Sequence, residues 1–203
     1  MQIASTAVIG EHVRLGKNVY IGHYSVIRGN TVIGDNTYIS SHVSIGEPPE
    51  HSSDKYELQK SFVPDFSCNG QIIIGSNVVI REFTTVNQPM KSATIIGDNC
   101  YIMARNHISH DCVLQDHVVL STNVCLGGWT LVMTGANIGL GSITHQFTTV
   151  GAYSMIALNS SVVKDVPPLV KFIPGKALTD NTYALRKWDL NDSVELRGQL
   201  IRD

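Results

Sequence analysis

Aliphatic residues recur at every sixth position along most of this chain, and no other feature of the sequence constrains the fold as strongly. The frame holds at 23 positions, and 22 of them are Ile, Leu or Val, although these types supply only 55 of the 203 residues. The positions are Ile3, Ile9, Leu15, Ile21, Ile27, Ile33, Ile39, Ile45, Ile74, Ile80, Val86, Ile96, Ile102, Ile108, Leu114, Leu120, Leu126, Val132, Ile138, Thr144, Val150, Ile156 and Val162. A helix would repeat its apolar stripe about every 3.6 residues, so the period excludes a helix. The pattern predicts a solenoid whose inward-facing aliphatic residues stack in columns.

Each six-residue unit is predicted to be a short strand closed by a tight corner. Gly follows the aliphatic residue in many units, and Asn follows two positions later, as in Gly16 and Asn18 or Gly34 and Asn36. Both residue types tolerate the left-handed backbone conformations that tight corners require. The composition agrees, because 20 Ile and 21 Val against 14 Leu is an excess of the β-branched residues that strands favour.

Length, charge and cysteine content narrow the class of protein. The 203 residues allow one domain with a short appendage, and the net charge of -2 argues against a nucleic-acid partner. The N-terminal residues lack a signal-peptide pattern and no apolar stretch reaches membrane-spanning length, so we expect a cytoplasmic protein without a membrane span. The four cysteines, Cys68, Cys100, Cys112 and Cys125, contain no C-x-x-C pair and are expected to be free thiols.

The repeat resembles that of the hexapeptide-repeat acyltransferases, whose units form a left-handed parallel β-helix with three strands, and hence three repeat units, in each coil. The resemblance implies an all-β solenoid of about eight coils over residues 1–168, interrupted by loop excursions at 47–70 and 87–95. Long loops on a rigid scaffold commonly carry binding residues. Side chains fill the interior of such a prism, so any catalysis takes place on its outside.

The last part of the chain is predicted to leave the prism. Pro167 and Pro168 are expected to stop the strand ladder, because proline cannot donate a ladder hydrogen bond. A short helical tail is then expected over residues 169–203, with one helix from about Thr179 to Trp188 and a second near Ser193 to Ile201.

With three repeat units per coil, residues separated by three units become neighbours on adjacent coils, about 5 Å apart. Three adjacent columns are Ser109, Gly127 and His145; His110, Gly128 and Gln146; and Asp111, Trp129 and Phe147. Histidine has the near-neutral pKa that suits a general base, and glycine exposes a backbone N–H that can hold an oxyanion. Acyl transfer to a sugar hydroxyl uses both groups, so His110 is the candidate base and Gly128 the candidate donor.

Longer stretches around these columns closely resemble the UDP-N-acetylglucosamine acyltransferases that begin lipid A synthesis. The similar stretches are Asn106–Cys112, Leu126–Gly128, His145–Phe147 and Asp165–Pro168. By this resemblance His110 is the general base, Asp111 orients it and Gly128 supplies the oxyanion donor. The resemblance also implies substrate contacts for His107, His145, Gln146, Asp54, Lys55, Arg186 and Lys187. Adjacent strand residues point to opposite faces, so only a corner would let Asp111 support His110.

Four features depart from the family pattern. Trp129 stands where the family usually has a further active-site histidine, and an indole there would stack on a base or cover the site. Leu158 replaces a glycine of members that handle long acyl chains, so it is expected to shorten an acyl groove. The helical C-terminal region is reduced to a short tail, which weakens the case for an acyl carrier protein, and the loop at Gln88 to Ser92 is shorter. These departures favour a smaller acyl group, such as acetyl from coenzyme A.

The function expected from this sequence is acyl transfer from acyl-coenzyme A or acyl carrier protein to a nucleotide-activated amino sugar such as UDP-N-acetylglucosamine. The acceptor is a hydroxyl or an amine, the pathway makes lipid A or a surface polysaccharide, and no cofactor is permanently bound. The resemblance further implies a homotrimer with sites between subunits.

Other interpretations of the same residues stay open at this point. Gly128 would also suit a plain corner, Trp129 would also suit packing, and Lys55, Arg186 and Lys187 would also suit a solvated surface. Three alternative functions are a coenzyme A-dependent N-acetyltransferase of a nucleotide-linked amino-deoxy sugar, a zinc lyase of the γ-carbonic anhydrase type, and a catalytically silent scaffold. The metal alternative lacks a convincing ligand set, since His107 and His110 are only three residues apart.

Overall fold

Short strands, one for each repeat unit, form a three-sided parallel β-solenoid of about eight coils in the computed structural model, which describes residues 1–50 and 70–190. The strands are β1 (Gln2–Ile3), β2 (Val8–Ile9), β3 (Arg14–Leu15), β4 (Tyr20–Ile21), β5 (Val26–Ile27), β6 (Thr31–Ile33), β7 (Tyr38–Ile39), β8 (Ser44–Glu47), β9 (Gln71–Ile74), β10 (Val79–Ile80), β11 (Thr85–Asn87), β12 (Ala93–Ile96), β13 (Tyr101–Ile102), β14 (His107–Ile108), β15 (Val113–Leu114), β16 (Val119–Leu120), β17 (Cys125–Leu126), β18 (Leu131–Val132), β19 (Asn137–Ile138), β20 (Ile143–Thr144), β21 (Thr149–Val150), β22 (Met155–Ile156), β23 (Ser161–Val162), β24 (Val170–Phe172) and β25 (Thr179–Asp180). The predicted fold class, a left-handed parallel β-helix, is confirmed.

Successive strands belong to successive faces of the prism. Face A has the order β1-β4-β7-β10-β13-β16-β19-β22-β24-β25, face B has β2-β5-β8-β11-β14-β17-β20-β23, and face C has β3-β6-β9-β12-β15-β18-β21. Ile3 pairs with Ile21, which lies three repeat units further along the chain, as expected for one coil. The offset is larger across residues 47–70, so that Ile33 pairs with Ile74. The excursions therefore lengthen the chain between coils without changing which residues face inward.

The interior consists of the columns that the repeat predicts. From Ile21 to Val162 every repeat position is buried, while Ile3 at the end of the stack is 39% exposed. Burying one such side chain contributes about 1.5–3 kcal/mol. Thr144 is the single polar residue in these columns, and it is 7% exposed.

Most of the glycines that follow the aliphatic residues are not the left-handed corner residues that the sequence predicts. Left-handed backbone occurs mainly at the third residue after the aliphatic one, for example at Asn36 with φ 57°. Gly34, directly after Ile33, is needed for space instead, because a Cβ atom there would lie 2.6 Å from the carbonyl carbon of Gly75 on the next coil. Asparagine side chains add a hydrogen-bonded column along the same corner, since Asn36 donates to Asn77 at 3.3 Å.

The strand ladder continues beyond the predicted end at residue 168. Val150 bridges to Val166 on face C, and β24 then pairs in parallel with β22 on face A. Pro167 and Pro168 lie at the corner between these two pairings, where the missing N–H groups interrupt no strand. The boundary expected at residue 168 therefore excludes β24 and β25 from the solenoid, although both strands belong to face A.

The predicted tail helix is present but shorter. Helix α1 spans Thr182–Lys187 and begins after Asn181, whose side chain accepts a hydrogen bond from the Ala184 N–H. Residues 179 and 180, predicted as helix, instead form β25. The second predicted helix near 193–201 lies outside the described residues. No helix within the described ranges is long and apolar enough to cross a membrane.

Candidate active site

His110 lies at the corner between faces B and C, directly beside Gly128 on the next coil, as the spacing of three repeat units predicts. A Cβ atom on Gly128 would be 2.5 Å from His110 Cε1 and 2.7 Å from Nε2. Any side chain at position 128 would therefore collide with the imidazole. The glycine is required by the ring that packs against it, and His110 itself is only 6% exposed.

Asp111 occupies the left-handed corner position, with φ 57°, and this geometry brings its side chain back to its neighbour. Asp111 Oδ2 lies 3.1 Å from His110 Nδ1. The corner thus satisfies the condition under which two adjacent residues can interact. A carboxylate at Nδ1 holds the ring proton on that nitrogen and leaves Nε2, which faces Gly128, as the basic atom.

The loop at Gln88 to Ser92 clamps Asp111 from the other side. Its carboxylate accepts hydrogen bonds from the backbone N–H groups of Met90 (2.7 Å), Lys91 (3.1 Å) and Ser92 (2.8 Å). The Ser92 hydroxyl donates a further bond at 3.0 Å. Burial raises the pKa of Asp111, but the backbone hydrogen bonds and the one from His110 outweigh it and hold the pKa below its ordinary value. Asp111 is therefore an ionised, fixed partner for the imidazole.

The Gly127–Gly128 peptide is held from inside the prism. The Gly127 carbonyl accepts hydrogen bonds from Thr130 Oγ1 at 2.6 Å and from Cys112 Sγ at 3.2 Å, and both donors are fully buried. The described chain has no cis peptide bond, so the Gly128 N–H points opposite to this carbonyl, away from the interior. No acceptor for this N–H is found among residues 1–50 and 70–190. Among the described residues this N–H is therefore a buried donor without a partner, and an oxyanion bound at this corner would supply one.

His107 is a neutral, hydrogen-bonded neighbour of this dyad. Its Nδ1 lies 2.7 Å from Thr85 Oγ1 and its Nε2 lies 3.0 Å from Ser109 Oγ. Burial lowers the pKa of His107, and the nearby His110 lowers it further, while Glu50 at 4.0 Å opposes the shift. Both ring nitrogens of His107 thus bond to side chains.

Trp129 covers the imidazole. Its ring meets His110 edge to face, with centroids 4.4 Å apart and planes at 83°. On its other side Trp129 stacks against Phe147 at 4.7 Å and 8°. Trp129 therefore has both of its predicted roles, because the indole that packs on Phe147 also shields His110 from solvent.

The remaining candidates are distributed over the molecule. His145 and Gln146 are exposed on the coil after Gly128, and His145 Nδ1 lies 3.0 Å from the Gln146 carbonyl. Leu158, 62% exposed, lies at the corner between faces A and B. Arg186 and Lys187 belong to α1, whose neighbour Trp188 contacts the corner between faces C and A. A single chain does not bring these three residues to His110.

Two other expectations concern residues away from this corner. Asp54, Lys55 and Cys68 lie outside the described residues. Cys100 and Cys112 are buried free thiols and Cys125 is an exposed one. Within the described part of the chain there is no group of three or more His, Cys, Asp or Glu side chains that could hold a metal ion.

Comparisons with known proteins point to one family. The model described as "Bacterial transferase hexapeptide (six repeats)" matches residues 12–47 and 93–128. An acyl-[acyl-carrier-protein]–UDP-N-acetylglucosamine O-acyltransferase of Paraburkholderia phymatum is 36% identical over 197 residues, covering 87% of this chain and 71% of the relative. An enzyme of the same name from Campylobacter concisus is 35% identical over 169 residues, which is 82% of this chain.

The fold agrees with that of a solved relative. The UDP-N-acetylglucosamine acyltransferase from Campylobacter jejuni superposes with a TM-score of 0.77 at 29% identity, over 92% of this chain and 77% of that one. The sequence match to the Campylobacter concisus relative covers only 61% of that relative's length, so this chain spans less than two thirds of it.

Proposed function

This chain belongs to the hexapeptide-repeat transferases, in the branch of the UDP-N-acetylglucosamine O-acyltransferases, and we propose that it transfers an acyl group from a carrier thioester to a nucleotide sugar. The observation that carries the proposal is the arrangement of His110. Its Nδ1 is held by the ionised Asp111, and its Nε2 faces the backbone of Gly128. General base and oxyanion donor are thus adjacent at one corner of the prism, where both are buried.

The proposed reaction follows from these positions. Nε2 of His110 removes the proton of a sugar hydroxyl while its oxygen attacks the thioester carbon. The carbonyl oxygen of the resulting tetrahedral intermediate accepts a hydrogen bond from the Gly128 N–H. The carbon–sulfur bond then breaks, and the imidazolium returns its proton to the thiolate. Asp111 stabilises the imidazolium throughout, because its own loop contacts keep it ionised.

The substrates we infer are UDP-N-acetylglucosamine and an acyl carrier protein thioester, the substrates that the relatives' names state. A coenzyme A thioester and an amine acceptor are the alternatives. Leu158 projects from a corner of the prism, and in an assembly it would limit the length of the acyl group. The product of the inferred reaction is a precursor of lipid A.

We further propose a homotrimer with its sites between subunits. His110, Leu158 and α1 lie at three different corners of one prism, so a neighbouring chain must supply any of them that share a site. Arg186 and Lys187 would then reach the phosphates of substrate bound beside another subunit's His110. His107, His145, Gln146 and Trp129 would line the same cleft from His110's own chain.

The test is a panel of acyl carrier protein and coenzyme A thioesters with nucleotide sugars, followed by release of the free thiol. We expect turnover by the wild type and its loss in the His110→Ala variant, by about 100-fold or more. His12→Ala is the matched control, because His12 is an exposed histidine on the first coil. Absence of wild-type turnover across the panel, or equal turnover by His110→Ala, would refute the proposal.

A further inference from the structure

Thr144 interrupts the aliphatic columns at one place, and that place is directly behind the candidate oxyanion donor. Each of the other 22 repeat positions carries Ile, Leu or Val. Thr144 Oγ1 lies 3.2 Å from the Gly127 nitrogen and 2.9 Å from Thr130 Oγ1. A hydroxyl inside a prism of hydrocarbon side chains is costly unless it is hydrogen-bonded, and this one has both a donor and an acceptor as partners.

The directions of these hydrogen bonds follow from the proton count. Thr130 has one hydroxyl hydrogen, and its shortest contact is with the Gly127 carbonyl at 2.6 Å. Thr130 therefore accepts from Thr144, and Thr144 Oγ1 accepts from the Gly127 N–H. The result is a chain in which Thr144 donates to Thr130 and Thr130 donates to Gly127 O. The carbonyl at the end of the chain belongs to the peptide unit that carries the Gly128 N–H.

The backbone at this step differs from the equivalent steps elsewhere. At most steps the N–H after a repeat position bonds to the repeat-position carbonyl of the next coil, as from Gly97 to Leu114 at 2.8 Å and from Gly139 to Ile156 at 2.9 Å. The bond from Gly127 to the Thr144 carbonyl is 3.1 Å, and the same N–H also reaches Thr144 Oγ1. Thr144 thus holds the Gly127–Gly128 segment by its backbone and by its side chain.

We propose that Thr144 is a positioning residue for the oxyanion donor, acting through Thr130 and the Gly127 carbonyl on the Gly128 N–H. Successive hydrogen bonds polarise one another, so a donor to Thr130 strengthens the bond to the carbonyl and makes the N–H of that peptide a better donor. This inference rests on the proposed function, because it assigns a role in stabilising the intermediate.

The test is the Thr144→Val variant, which keeps the shape of the side chain and restores the residue type of the other columns. We expect the melting temperature to be unchanged or higher, kcat to fall about threefold to tenfold and KM to stay the same. Thr144→Ser retains the hydroxyl and should keep the wild-type kcat. In protein labelled with [15N]glycine, the Gly128 amide resonance should shift in Thr144→Val and stay in place in Thr144→Ser.

The matched control is Val162→Thr, one coil further on. Thr148 donates to the His145 carbonyl at 2.7 Å in the same turn, so the new hydroxyl would complete an equivalent chain away from Gly128. We expect Val162→Thr to leave the Gly128 amide resonance in place. If the wild type is active but Thr144→Val has the same kcat and the same Gly128 resonance, the role of Thr144 is overturned. The proposed function is not affected by that result. A wild type without turnover would overturn the proposed function, and the role of Thr144 with it.

Discussion

At the scale of single residues, the candidate site depends on contacts that side-chain identity reveals only in part. The pairing of His110 with Gly128 follows from counting three repeat units along the sequence. The clamp on Asp111 does not, because three of its hydrogen bonds come from backbone N–H groups, which every residue except proline has. Only the position of an irregular loop brings Met90, Lys91 and Ser92 to the carboxylate. A break in the repeat frame shortly before a candidate catalytic aspartate is the available signal for such a loop.

The clamp predicts a joint effect of Asp111→Asn on activity and stability. We expect kcat to fall about 100-fold or more, because an amide no longer holds the Nδ1 proton of His110 as a carboxylate does. At pH 7 the variant should be about 1–3 kcal/mol less stable, since its amide NH2 group would face N–H donors. The folded pKa of Asp111 lies below its ordinary value of 3.8. The extra stability of the wild type over Asp111→Asn is therefore fully present above pH 3.8. It disappears as the pH falls through the pKa of Asp111 in the folded state.

Urea titrations at a series of pH values, combined with the thiol-release assay, measure both effects. Asp98→Asn is the control, because Asp98 also accepts a corner backbone N–H, from Ser76 at 2.7 Å, on a corner far from His110. That variant should keep the wild-type kcat. An Asp111→Asn enzyme with full activity, or a stability difference independent of pH, would contradict the role given to the clamp.

At the scale of elements, the repeat predicts the strands and the core well because both depend on a single period. An inward aliphatic residue every six positions determines where each strand lies and which residue is buried. Residue type alone misplaces the end of the ladder, since Pro167 and Pro168 stop a strand only when they lie within one. Here they lie at a corner, and β24 resumes the parallel pairing with β22.

Helix α1 is predicted to be held on the prism mainly by Trp188, which follows it. The indole packs against His117 with centroids 5.2 Å apart and against Tyr153 at 5.6 Å. We expect Trp188→Ala to raise the hydrogen-exchange rates of the α1 amides at least tenfold while the prism amides keep theirs. Tyr183→Ala is the control, because Tyr183 is exposed on the same helix. Equal exchange in α1 of wild type and Trp188→Ala would show that other contacts hold the helix.

At the scale of the whole molecule, the geometry of one prism supports an assembly. Three corners each carry some of the candidate substrate residues, and a rigid solenoid cannot bend to bring its corners together. Light scattering of the purified protein is predicted to give three times the chain mass of 22.2 kDa. Mixing inactive His110→Ala chains with inactive Arg186→Ala/Lys187→Ala chains should restore part of the activity, because some interfaces then pair two intact corners. A monomer with full activity would contradict the shared site.

The most direct test of acyl transfer through His110 is the mass of the nucleotide sugar after incubation with an acyl carrier protein thioester. With wild-type protein, UDP-N-acetylglucosamine should gain the mass of the parent carboxylic acid less one water, and fragmentation should place the gain on the sugar. His110→Ala should leave the mass unchanged. An unmodified nucleotide sugar with the acyl group released as free acid, or the same acylated product from His110→Ala, would contradict the mechanism.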